Sequence, residues 1–180
     1  KVNPSGKLNV SFPRSTGNTP CFYNHFVTDR EEPFDQPGTP EEPKGHYIFD
    51  KPEPLWNFGH GKSYTTFDYV DCALSDTLLA ASDTLKVSVT IKNTGRRDGK
   101  EVVQLYVRDK VSTVATPIQQ LKAFQKVLVK SGESQCVELS LPIAELALYN
   151  AKMEEVVEPG DFEIQIGAAS DDIRFKKTIT

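Results

Sequence analysis

From Thr84 onward the chain alternates apolar and polar residues with a period of two, and that pattern restricts it to strands. Leu85, Val87, Val89 and Ile91 fall on one side, while Thr84, Lys86, Ser88 and Thr90 fall on the other. A strand turns successive side chains to opposite faces, so each such run is a ribbon with one apolar face to bury. The pattern recurs with Val103, Leu105 and Val107 against Gln104, Tyr106 and Arg108, and with Val137, Leu139 and Leu141 against Cys136, Glu138 and Ser140. It returns with Phe162, Ile164 and Ile166 against Asp161, Glu163 and Gln165, then with Ile173 and Phe175 against Arg174 and Lys176. Thr94-Gly95, Asp98-Gly99 and Pro159-Gly160 are turn signals between these runs. Two further strands are expected over residues 64–74 and 121–129, and a single helical turn after Pro142, over 143–148. The fold class this predicts is all-β, an antiparallel β-sandwich.

The first third of the chain has a different texture. Residues 1–27 hold one short strand-like run, 8–12, preceded by the turn signal Asn3-Pro4-Ser5-Gly6 and stopped by Pro13. Residues 28–60 read as a linker or loop. Asp29, Glu31, Glu32, Asp35, Glu41, Glu42, Asp50 and Glu53 alternate there with Pro33, Pro37, Pro40, Pro43, Pro52 and Pro54, half of the 12 prolines. Proline lacks a backbone donor and restricts its neighbour, so this density excludes helix and central strand. Only 46–49 (His-Tyr-Ile-Phe) could dock as a short strand. The sandwich proper is expected over 61–180. A strand at 8–12 has no sheet partner in this scheme, so residues 1–12 must either add to the sandwich edge or stay disordered.

Composition excludes several function classes. A net charge of −4 gives no basic face to displace counterions from nucleic acid and no polybasic patch for an anionic membrane. No apolar run approaches a membrane span, and residues 1–13 lack the apolar core of a signal peptide. Cys21, Cys72 and Cys136 form neither a CxxC pair nor a disulfide framework, and with only 3 scattered histidines they suggest no zinc site. The simplest expectation is three buried apolar thiols.

The stretch Trp56-Asn57-Phe58-Gly59-His60-Gly61-Lys62-Ser63-Tyr64-Thr65-Thr66-Phe67 resembles a signature of glycoside hydrolase family 3, FG-x-G-x-SYT-x-F. In that family it leads into a fibronectin type III-like (immunoglobulin-like) domain. The following VSVTIKNTGRRDGKEVVQLYVRD, starting at Val87, is similar to two paired strands of that domain. PIQQLKAFQKVLV, starting at Pro117, resembles its P-x-x-x-LKGF segment, with Ala123 in place of the common glycine. Trp56-Asn57 stands where Tyr-Pro is more usual, and Lys62 where leucine is, which would loosen a packing contact at the linker. Near the start, PSGKLNVSFP from Pro4 resembles the last strand of the family's α/β sandwich domain. Phe22-Tyr23-Asn24-His25 is similar to the segment that follows it. The resemblance implies that residues 1–27 are the end of that α/β domain. It also implies a parent β-glucosidase-like enzyme, periplasmic or secreted, that retains configuration. The aspartate nucleophile and glutamate acid/base would lie on domains preceding Lys1.

No catalytic residue is assigned in this chain itself. Glycoside hydrolysis needs two carboxyls held at a fixed separation, and the Glu31-Glu32 and Glu41-Glu42 pairs sit on a loop. That loop lacks the alternating acidic spacing of a calcium site, so no metal and no cofactor are expected. Ser63 follows Gly59 and Gly61 with no G-x-S-x-G elbow, and both glycines read as positive-φ turn residues. Tyr23, Asn24 and His25 are candidates for the wall of a sugar site, or else pack beneath the loop. Trp56 is a sugar-stacking candidate, though a lone tryptophan next to Phe58 more often packs at a domain boundary. The expected partners are upstream catalytic domains of the same polypeptide, carbohydrate, or a second copy in a homodimer. The leading expectation is a non-catalytic bracing module. The alternative is an independent carbohydrate-binding or adhesion-type sandwich.

Overall fold

The structure, a computed structural model, describes residues 2–26, 37, 39–42, 50, 51 and 53–180. The expected docking strand at 46–49 and the acidic Glu31-Glu32 pair lie outside them. The described residues form nine strands: β1 (Phe67–Leu74), β2 (Thr84–Asn93), β3 (Gly99–Asp109), β4 (Gln120–Val129), β5 (Ser134–Pro142), β6 (Leu148–Tyr149), β7 (Glu155–Val156), β8 (Phe162–Gly167) and β9 (Ile173–Ile179). Strands β1-β2-β5 make one sheet, β4-β3-β8-β9 the other, and β6-β7 a small ribbon; the strand pairings are antiparallel. The turn after Pro142 is a 3-10 helix, Ile143–Leu146.

Period two becomes a core directly. Strand β2 alternates exposed or half-buried residues with buried ones along its length, and β5 does so from Val137. Val87, Val89, Ile91, Val137, Leu139 and Leu141 from one sheet pack against Val103, Leu105, Val107, Ile164 and Ile166 from the other. Each such side chain contributes about 1.5–3 kcal/mol on leaving water.

Three expectations change. Strand β3 was expected to turn Gln104 and Tyr106 to solvent, yet both are buried, because a further layer of chain lies over them. Cys72 is buried as expected, whereas Cys21 is half-buried and Cys136 exposed. Cys136 belongs to the polar side of β5, where alternation outweighs the thiol's preference for burial. Residues 8–12 join neither the sandwich edge nor a disordered tail. Leu8 N–H donates to His60 O and Gly59 N–H to Leu8 O, both at 2.8 Å, and Phe12 bridges Trp56.

The turn after β2 is organised by one buried amide. Asn93 Nδ2 donates to the carbonyls of Arg97 (2.7 Å) and Val129 (2.9 Å). Its Oδ1 accepts from Thr65 Oγ1 (2.6 Å) and Gly95 N–H (3.1 Å). All four capacities are used, and β2, β4 and the approach to β1 are tied at one point. Truncating Asn93 leaves several of these groups buried without partners. Asn93→Ala is therefore expected to cost about 3 kcal/mol in urea unfolding, whereas Lys86→Ala, on the exposed face of the same strand, should stay within about 0.5 kcal/mol.

Candidate functional site

The layer over β3 is built from residues 2–12, 20–26 and 55–65, and it contains the residues singled out from sequence. Tyr23 is wedged at its centre. Its ring stacks on Phe58 with centroids 4.1 Å apart and meets Tyr106 edge-on at 6.0 Å. Its hydroxyl accepts from Leu121 N–H at 3.1 Å. His25 Nδ1 donates to the Phe26 carbonyl, and the His25 carbonyl accepts from Ile118 N–H, each at 2.9 Å. Asn24 is half-buried beside them. Trp56 lies apart from this group, 40% exposed, with His60 at 4.7 Å and Lys62 Nζ 5.6 Å from its ring centroid. The structure thus groups Tyr23 with Phe58, and Trp56 with Phe12, His60 and Lys62.

Beneath this layer is a polar network without a local sequence signal. Gln104 Nε2 donates to the carbonyls of Gly59 (3.3 Å) and Ala168 (2.6 Å), and Gln104 Oε1 accepts from the Tyr106 hydroxyl at 2.5 Å. Lys7 Nζ donates to Ala168 O at 3.0 Å and pairs with Glu101 Oε1 at 2.9 Å, both side chains largely buried. Tyr69 hydroxyl contributes longer bonds to Glu101 and to the Gly167 carbonyl. Burial first, then the charges on Glu101 and Asp172, push the Tyr69 hydroxyl far up, so it stays a donor. Burial does the same to Tyr106. Pairs separated by 94 residues, such as Lys7 and Glu101, are invisible to periodicity. The available hint was a glutamate and a glutamine flanking Val102 and Val103 on a central strand.

The glycines of the junction serve two different needs. Gly59 has φ +81°, and a Cβ there would strike the Gln104 amide. Gly61 does not take positive φ, contrary to expectation. It is required because the Gly6 carbonyl passes where its Cβ would stand. The loop after β8 closes the seam: Ser170 N–H donates to Phe58 O at 2.9 Å, and Asn57 Nδ2 to Asp171 Oδ2 at 2.7 Å. Among the described residues no cluster of three or more metal-ligating side chains occurs. What this arrangement does chemically is clamp and seal.

This is a seven-stranded fibronectin type III-like sandwich with an amino-terminal segment locked onto its four-stranded sheet. The family model of the fibronectin type III-like domain matches residues 101–170. A β-xylosidase of Formosa agariphila is 42% identical over 175 residues, 96% of this chain and 23% of that protein. The periplasmic β-glucosidase of Salmonella typhimurium is 39% identical over 93% of this chain and 22% of its own length. A crystal structure of the β-glucosidase of Listeria innocua with isofagomine superposes with a TM-score of 0.86 at 37% identity, covering 98% of this chain and 24% of that one. The chain belongs to glycoside hydrolase family 3, as the resemblance of its motifs implied, and corresponds to the part of those proteins carrying the fibronectin type III-like domain. It spans about a quarter of the length of the relatives it matches.

Replacing Lys7 by Met leaves Glu101 buried without its cation, and is expected to cost about 3 kcal/mol. The double variant Lys7→Met, Glu101→Gln should recover a measurable part of that loss in a double-mutant cycle read by chemical unfolding. Full additivity would mean that the pair is not coupled.

Proposed function

We propose that this chain is the non-catalytic carboxy-terminal module of a family 3 glycoside hydrolase, and that the layer over β3 is its docking face for the catalytic domains of the same polypeptide. One observation carries the reading. Residues 2–12 are fastened to the sandwich by buried bonds, yet Val10, Phe12, Leu55 and Trp56 stay between 40% and 54% exposed side by side. A contiguous apolar face of this kind marks a contact surface. Ser11 Oγ, between Val10 and Phe12 in sequence, is buried without a partner among the described residues. The relatives are about four times longer than this chain, and preceding domains of the parent are the occupant that fits the face.

On this reading residues 1–27 are the end of an α/β domain, 28–60 the crossing loop and 61–180 the sandwich. The parent cleaves β-glucosides or related β-glycosides with retention, and it works in the periplasm or outside the cell; the Salmonella relative is named as periplasmic. Tyr23 and His25 hold the seam, with Asn24 half-buried between them. A second reading, sugar binding at Trp56, rests on its partial exposure beside Lys62.

The 180-residue chain is expected to release no aryl alcohol from aryl β-glucosides or β-xylosides. In the full parent protein, Phe12→Asp with Trp56→Asp should lower Tm by several degrees, by about 4 °C for each kcal/mol lost at most. The same pair in the isolated chain should leave Tm nearly unchanged. Turnover by the chain alone, or equal Tm shifts in both settings, would refute the proposal.

A further inference from the structure

A half-open cavity of about 370 Å³ lies where β3 ends and β4 begins, eight residues along β3 from Glu101, roughly 26 Å at strand rise. Its floor is the inward face of the sheet. Val107 is paired directly with Gln120, so Gln120 shares the side of Val107 and Asp109, and Lys122, the extra residue of the β-bulge between the Tyr106–Leu121 and Leu105–Ala123 pairs, lines the same cavity. That side should be apolar, and toward the core it is, through Val103 and Leu105. At this end it carries a carboxylate, an amide and an ammonium instead, facing residues 146–149. An inward lysine on an edge strand discourages edge-to-edge pairing, which accounts for Lys122 on β4. It does not account for Asp109, because β3 is flanked on both sides by strands.

The polar groups have been partly stripped of water. Burial raises the Asp109 carboxyl, against a hydrogen bond from Val111 N–H, and burial lowers Lys122. Among the described residues no cation pairs with Asp109. The walls are fixed before any ligand arrives: Phe26 bridges Pro117, and Lys122 Nζ donates to Glu145 O at 2.7 Å across the cavity's rim. Phe26 and Tyr149 present exposed rings at the mouth. The size falls in the range of small-molecule pockets. One negative and one positive group cancel, which disfavours a charged ligand. A hydroxyl-rich ring satisfies the set: it donates to Asp109, accepts from Lys122 and Gln120, and lays its C–H face on an aromatic ring.

We propose that this cavity is a non-catalytic binding site for an uncharged pyranose, held by Asp109, Gln120 and Lys122 with Tyr149 against the ring. The inference goes beyond the docking reading and does not depend on it.

The test is an amide-shift NMR titration of the isotope-labelled 180-residue chain with cellobiose and xylobiose, with glucuronate as the charged control. Saturable shifts are expected at residues 107–109, 120–122 and 146–149, with a dissociation constant on the order of 1 mM and weaker binding of glucuronate. Asp109→Ala and Tyr149→Ala should each weaken binding about tenfold or more, while Trp56→Ala leaves it unchanged. If Asp109→Ala loses its dispersed spectrum, the near-isosteric Asp109→Asn replaces it, with weakened binding again expected. Shifts that never saturate, shifts confined to Trp56 and His60, or unchanged affinity in folded Asp109 and Tyr149 variants would overturn the proposal.

Discussion

The arrangement depends on the burial of β3 on both faces. Its inward side supplies Val103, Leu105 and Val107 to the core, while its outward side supplies Gln104 and Tyr106, which water never reaches. A buried amide and phenol are tolerable only when bonded. The groups that bond them come from elsewhere in the chain, the carbonyls of Gly59 and Ala168. The amino-terminal layer is therefore required by the strand it covers.

From this follows a division of labour between the two sheets. The three-stranded sheet is an ordinary half-buried one, polar outside and apolar inside, and its β5 shows Cys136 to solvent as its alternation demands. The four-stranded sheet is the face to which things attach. Tyr23 and Phe58 are stacked over one part of it, and Lys7 reaches Glu101 at another. At its far end the inward polar trio opens the cavity.

The sandwich was legible because strand burial is a local code. Val87, Val89 and Ile91 announce their side within seven residues, and the Asn-Thr-Gly turn is announced by its own composition. The motifs from Trp56 to Phe67 and from Phe22 to His25 pointed to the family. What could not be read was contact between distant positions. Nothing near Lys7 signals Glu101, and nothing near Leu8 signals His60. The alternation at Gln104 and Tyr106 was read correctly as polar, but polarity names a need for partners and does not say whether water or protein meets it. Gly61 shows the same limit: its local sequence suggests a turn, while the actual reason is the backbone of Gly6 crossing close by.

Trp56 is the one tryptophan of the chain, and it sits half in water on the apolar face of the amino-terminal layer, between His60 and Lys62. Tryptophan emission from this chain consequently originates at a single place, to the red of the emission of its 6 tyrosines. Covering that face would shift the emission toward the blue, and uncovering it would return the indole to solvent. The seam carries its own optical gauge, with no label to attach and no second fluorophore of its kind to subtract.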